Sequence, residues 1–151
     1  MLKGIDPLLT PELLKVLAEM GHGDAIAVVD ANFTASTLAG GKPLVRLAGA
    51  SLARACAAVL SVFPLGTADE LPVAFMQVGD MPDGYLSPLQ REVVALCEVD
   101  ERTGGAHGEP VERFAFYQRV REAYAIVQTG EMQAYANFIF TKGVIADAAI
   151  R

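Results

Sequence analysis

The chain has 151 residues and a mass of 16.0 kDa, room for one ordinary domain and not for two of that size. Hydrophobic residues make up 52% and charged residues only 20%, against about 25% charged in typical soluble domains. Disorder is excluded as the main character, and the apolar surplus implies some burial between subunits.

A formal net charge of −6 with a pI near 4.8 leaves no broad basic face for nucleic acid and no polybasic membrane anchor. The longest apolar run, Ala55–Leu60, is far short of the ~20 residues of a membrane span. The opening MLKGIDPLLTPE lacks the continuous apolar stretch of a signal peptide. Two cysteines, Cys56 and Cys97, make no disulfide framework. The expected address is the cytoplasm, with both thiols reduced.

The first helix is signalled by Thr10 as N-cap, Pro11 at its first position and Glu12 in its first turn. Leu13, Leu14, Leu17 and Met20 recur at helical spacing, and Gly21 is placed to end the helix in a left-handed turn. The run AIAVV (25–29) is too short for a helix and reads as a strand buried on both faces, which favours a parallel sheet. Residues 31–43 read as a loop, LVRL (44–47) as a second strand, and Ser51 caps a helix to about Phe63. VAFMQV (73–78) is the third strand. Ser87, Pro88 and Gln90 open a helix to about Val99 with a capping box. ERTGGAHGEP (101–110) reads as a loop, VERF (111–114) as strand, and a helix follows from about Ala115 to Gln128, closed by Gly130. ANFIF (136–140) is the last strand, and residues 144–151 form a tail. Strands alternating with helices predict a single three-layer α/β/α domain with a mostly parallel (mixed) sheet.

In such sheets ligands bind beyond the carboxyl ends of the strands, where Asp30 falls. An unpaired carboxylate gains nothing from burial there; it either caps backbone amides or binds something. His22 lies between two glycines in the turn GHGD. Imidazole titrates near neutrality and can carry a proton; the alternative is a surface or helix-capping histidine. His107 sits in the glycine-rich loop and reads as solvent-facing. Arg113 could bind oxygen atoms with its planar fork, or pair with Glu112 or Glu109. Tyr135 and Asn137 offer the phenol and carboxamide that hold sugar hydroxyls, or they simply shape a turn. GGK at 40–42 is not a P-loop, and no GxGxxG, GxSxG or metal-ligand spacing occurs. What remains is proton transfer without a cofactor or metal, or plain binding.

Three strings carry a resemblance. The opening MLKGIDPLLTPELLKVLAEMGHGDAIAVVDANF, the stretch ERFAFYQRVREAYAIVQTGE and the late YANFIFTKGV resemble the D-ribose pyranase and L-fucose mutarotase family over nearly the whole chain. The resemblance implies an isomerase that interconverts sugar anomers or ring forms by acid–base opening and closing, with a monosaccharide as its partner. It implies His22 as proton donor, and Asp30, Arg113, Tyr135 and Asn137 as sugar-binding residues. Arginine before FAFY resembles the fucose branch, since the ribose branch tends to carry histidine there. The family forms rings of subunits, often stacked as decamers, with sites at subunit boundaries. The imidazole is therefore expected to meet the sugar-holding side chains, within one chain or across such a boundary. Loops 64–72 and 101–110 match less well and are candidates to line the pocket. A pyranase acting on ribose and a non-catalytic sugar-binding protein are the alternative readings.

Overall fold

The computed structural model describes residues 1–98 and 108–147. In chain order the elements are α1 (Pro11–Glu19), β1 (Ala25–Val29), α2 (Ala35–Ala39), β2 (Leu44–Leu47), α3 (Leu52–Leu60), a 3-10 turn (Ala68–Glu70), β3 (Val73–Met76), α4 (Pro88–Glu98), β4 (Glu109–Val111), α5 (Arg113–Glu122), β5 (Ala125–Thr129) and β6 (Phe138–Thr141). The strands form one sheet in the order β2-β5-β1-β6-β3-β4. β1 and β2 pair parallel to β5, and β3 parallel to β4. β6 alone runs against both of its neighbours, β1 and β3. The carboxyl ends of all the other strands therefore lie on one edge of the sheet, where β6 begins.

Side chains alternate across the sheet and build two cores. On one face Ile26, Val28, Val127, Phe138 and Phe140 pack under α1, α3 and α4 through Leu13, Leu17, Cys56, Val59 and Val93. On the other, Ala27, Val29, Ile126 and Ile139 meet Leu38 of α2 and Phe116 and Val120 of α5. This is the three-layer α/β/α arrangement expected from the sequence. Each fully buried aromatic such as Phe116 or Phe138 stabilises the fold by about 1.5–3 kcal/mol. Cys56 and Cys97 are buried, and Cys97 Sγ donates to Val93 O at 3.4 Å.

Local signals hold at the helix starts. Thr10 Oγ1 accepts from Leu13 N at 3.2 Å and Ser51 Oγ from Arg54 N at 3.2 Å. Ser87 and Gln90 exchange the two bonds of a capping box, at 3.0 and 3.1 Å.

Four expectations are corrected. α1 does not end in a left-handed Gly21: Met20 is extended, Gly23 carries the positive φ of 87°, and Lys142 Nζ donates to the carbonyls of Leu17 and Met20 at 2.7 and 2.5 Å. The segment 31–43 contains a short helix, α2, closed by Gly40 in the left-handed region. The fourth strand is Glu109–Val111 rather than 111–114, because Glu112 turns the chain into α5 by accepting from Phe114 and Ala115 N–H at 3.0 and 3.1 Å. The expected helix from Ala115 to Gln128 stops at Glu122, and residues 125–129 form a strand between β1 and β2. Lys42 Nζ closes α5 by donating to the carbonyls of Val120, Arg121 and Ala123, and the β-branched Ile126, Val127 and Thr129 suit a strand buried on both faces. His107 and the loop residues 101–107 lie outside the described residues. Among the described residues no helix is long and apolar enough to cross a membrane.

Candidate functional site

β1 delivers Asp30 to the edge of the sheet where the parallel strands end. Its side chain is 6% exposed, yet its oxygens are occupied rather than orphaned. Oδ1 accepts from Asn32 N at 2.9 Å and Oδ2 from Asn137 Nδ2 at 3.0 Å, while Asn137 Oδ1 accepts from Asp30 N at 2.8 Å. Of the two readings left open for Asp30, the cap on a backbone amide is present, and the carboxylate also lines a cavity. Burial raises its carboxyl above the ordinary value, and the bonds from Asn137 and Asn32 offset that only partly.

The cavity is about 250 Å³ and is lined by Asp30, Asn137, Arg113, Tyr135, Tyr117 and Asn32, with Phe33 and Met76 adding apolar surface. A few convergent polar groups beside apolar surface suit a small polar ligand. Arg113 makes neither of its expected ion pairs. Glu109 pairs with Arg119 at 3.2 Å and Glu112 caps α5. Arg113 Nε instead donates to Tyr117 Oη at 2.9 Å, and the guanidinium lies 5.5 Å from the ring centres of Phe114 and Tyr117. Stacking fixes the plane of the fork.

Tyr135 takes φ of 60°, a left-handed conformation that is unusual for a bulky residue. Gln90 holds it there. The fully buried Gln90 amide donates to the carbonyls of Tyr135 and Met76 at 3.1 and 2.8 Å. The phenol rests against Gly79, where a Cβ would come within 2.8 Å of Tyr135 Oη. Gln128 Nε2 steadies the loop after β1 by donating to Phe33 O at 3.1 Å and Ala31 O at 3.3 Å. Sequence reasoning missed Asn32 and Tyr117 as lining residues and Gln90 and Gln128 as supports. Tyr117 was within reach of it, since i,i+4 spacing from Arg113 puts both on one helix face.

The structure brings Asp30, Arg113, Tyr135 and Asn137 together and leaves His22 apart from them. His22 precedes β1 while Asp30 follows it. Five residues at about 3.3 Å each place roughly 16 Å of strand between the two turns. At its own end of the sheet His22 Nε2 lies 2.8 Å from Glu70 Oε1, with the imidazole side chain 54% exposed. The loop 64–72 therefore packs beside His22 and not beside the Asp30 cavity. Among the described residues no three His, Cys, Asp or Glu side chains gather as metal ligands.

This α/β domain presents a small polar cavity where its parallel strands end, the place such sheets favour for ligands. The chain belongs to the RbsD / FucU transport protein family, whose model matches residues 3–145. It is 42% identical over 146 residues to the fucose mutarotase of Danio rerio, covering 95% of this chain and 94% of that one. It is 44% identical over 146 residues to the L-fucose mutarotase of Glaesserella parasuis, covering 95% and 96%. The crystal structure of the fucose mutarotase from Streptococcus pneumoniae in complex with L-fucose superposes with a TM-score of 0.82 at 34% identity, covering 96% of this chain and all of the other. The tail beyond residue 145 lies outside the family match.

Proposed function

We propose that this chain is a cofactor-independent isomerase of the racemase and epimerase class, a mutarotase that interconverts the anomers of L-fucose. The observation that carries the reading is the buried Asp30–Asn137 pair facing a cavity with Arg113 and Tyr135, in a chain more than 40% identical to proteins named for that activity.

The chemistry needs only proton transfers. A base takes the proton of the anomeric hydroxyl while an acid protonates the ring oxygen, and the bond between that oxygen and the anomeric carbon breaks. The aldehyde rotates and recloses with both protons returned, so no redox change occurs. General acid–base assistance supplies about 10²–10⁴-fold, which suits a reaction that already proceeds in water. Asp30, Asn137 and Arg113 hold hydroxyls and fix the ring, and Tyr135 adds a hydroxyl or a flat face. His22 is the proton donor.

Because His22 stands at the opposite end of β1 from the cavity, it serves a sugar bound by a second copy. The chain accordingly self-associates, as a ring or a decamer with sites at subunit boundaries. Exposed Phe114 and Met132, at 69% and 72%, are apolar surface suited to such contacts. A cytoplasmic address fits the two buried cysteines.

Magnetisation-transfer NMR of anomeric exchange tests the reading, using L-fucose and D-ribose with wild type and His22→Ala. Accelerated exchange of L-fucose in wild type and its loss in His22→Ala are expected, with sugar binding retained. Binding without acceleration would make the chain a sugar-binding protein, and preference for ribose would make it a pyranase.

A further inference from the structure

We infer that Glu70 is a positioning residue for His22, holding the imidazole with its proton on Nε2 so that Nδ1 is the nitrogen turned to the sugar. The inference rests on the reading of His22 as proton carrier and adds the group that sets its tautomer.

The geometry is specific. Glu70 Oε1 lies 2.8 Å from His22 Nε2, and Glu70 Oε2 accepts from Thr67 N at 2.7 Å. Both oxygens of the carboxylate are therefore committed. An ionised carboxylate only accepts hydrogen bonds, so the proton between the pair belongs to Nε2, and Nδ1 is left as the nitrogen that exchanges its proton with the sugar. The bonds from His22 and Thr67 hold the Glu70 carboxyl below its ordinary value, which keeps it ionised. When Nδ1 carries the proton it gives to the sugar, the imidazolium stands beside a fixed negative charge.

Two segments 48 residues apart are aligned by one support. The His22 turn is tied to the end of β6 through Gly23 N to Lys142 O at 2.9 Å and Lys142 N to Asp24 O at 2.8 Å. The Glu70 turn is tied there through Gly66 N to Thr141 O at 3.2 Å and Gly143 N to Pro64 O at 2.8 Å. Gly66 matters for a second reason: a Cβ at that position would run into Glu70 Oε2. The other charged groups near the turn are engaged elsewhere. Asp24 accepts from Gly21 N at 2.7 Å, and Lys142 Nζ donates to the end of α1. An exposed pair of this kind adds little to stability, so its fixed geometry points to a role in orienting the ring.

The full-length protein tests this with Glu70→Gln, Glu70→Ala, Gly66→Ala and His22→Ala. Gln offers one acceptor to two donors, Ala offers none, and the Gly66 methyl displaces the carboxylate. Each of these three variants should lose tenfold or more in kcat for anomeric exchange, with KM within about twofold, because the sugar-holding residues are untouched. Long-range proton–nitrogen correlation spectra of ¹⁵N-histidine protein, read through the ring C–H groups, should show a proton on Nε2 in wild type. That proton should vanish in Glu70→Ala and be identified as that of His22 by its absence in His22→Ala. An Nε2 without its proton in wild type, or full kcat in the Glu70 variants alongside loss of exchange in His22→Ala, would overturn this inference alone. Full exchange in His22→Ala would overturn the underlying reading and this inference with it.

Discussion

Asn137 grips Asp30 twice, accepting from its backbone N–H at 2.8 Å and donating to its carboxylate at 3.0 Å. The two residues are 107 positions apart in the chain and meet because β1 ends where β6 begins. A single carboxamide thus fixes both the backbone and the side chain of the carboxylate proposed to hold sugar.

Removing that carboxamide tests the arrangement. Asn137→Ala leaves a buried N–H without its acceptor and one carboxylate oxygen short of a donor. Such losses cost about 1–3 kcal/mol for each group stranded. A fall in the midpoint of chemical unfolding is expected, together with a rise in KM for L-fucose. An unchanged midpoint would mean that water replaces the amide without penalty.

Asp30 also gives stability a pH dependence of known sign. Its folded value lies above 3.8, the ordinary one, chiefly through burial. The native state therefore binds more protons at this site than the unfolded chain does. The site's contribution is most favourable below 3.8 and declines as pH rises from there through the folded value. Asp30→Asn removes that decline. The stability of the variant relative to wild type should climb across this window and level off above it, whatever the constant cost of facing Asn137 with a second amide. Denaturant titrations at several pH values read it directly, and a flat difference would refute the assignment.

Gln90 supports the cavity from behind. Its amide bridges Met76 O and Tyr135 O while its oxygen closes the cap of α4. Gln90→Leu keeps similar bulk but strands three polar groups, so a loss of about 3 kcal/mol or more is expected. Released from its anchor, Tyr135 should leave φ of 60°, and KM should rise more than kcat falls. Thermal unfolding and steady-state exchange together separate the two effects.

Much of the fold was legible because its signals are local. Thr10–Pro11, Ser51 and Ser87–Pro88 mark helix starts within a few residues, and AIAVV is short and flanked by turns. β5 was hidden because Ala123–Val127 follows α5 with no glycine or proline between them. What stops α5 is Lys42, 78 positions before the first carbonyl it contacts, and no window on the sequence spans that distance. The short α2 was hidden in the same way among residues that also suit a loop. The site was legible as residue types and less so as partners. For Arg113 the sequence offers glutamates as the alternative to an oxygen ligand, whereas its partner is Tyr117, one turn on along α5. That His22 and Asp30 face opposite edges follows from their places before and after one strand.

The reversed strand β6 has a consequence for how this molecule can vary. Its leading edge carries Asn137 to the Asp30 cavity, and its trailing edge, at Thr141–Gly143, clamps the turns that bear His22 and Glu70. Four residues act as a fixed ruler between the two ends of the sheet. An insertion or deletion within it would reverse the facing of Phe138 and Phe140 and disturb both ends at once. Tolerance to length change should therefore be lowest in this ribbon, although no reacting atom touches its middle.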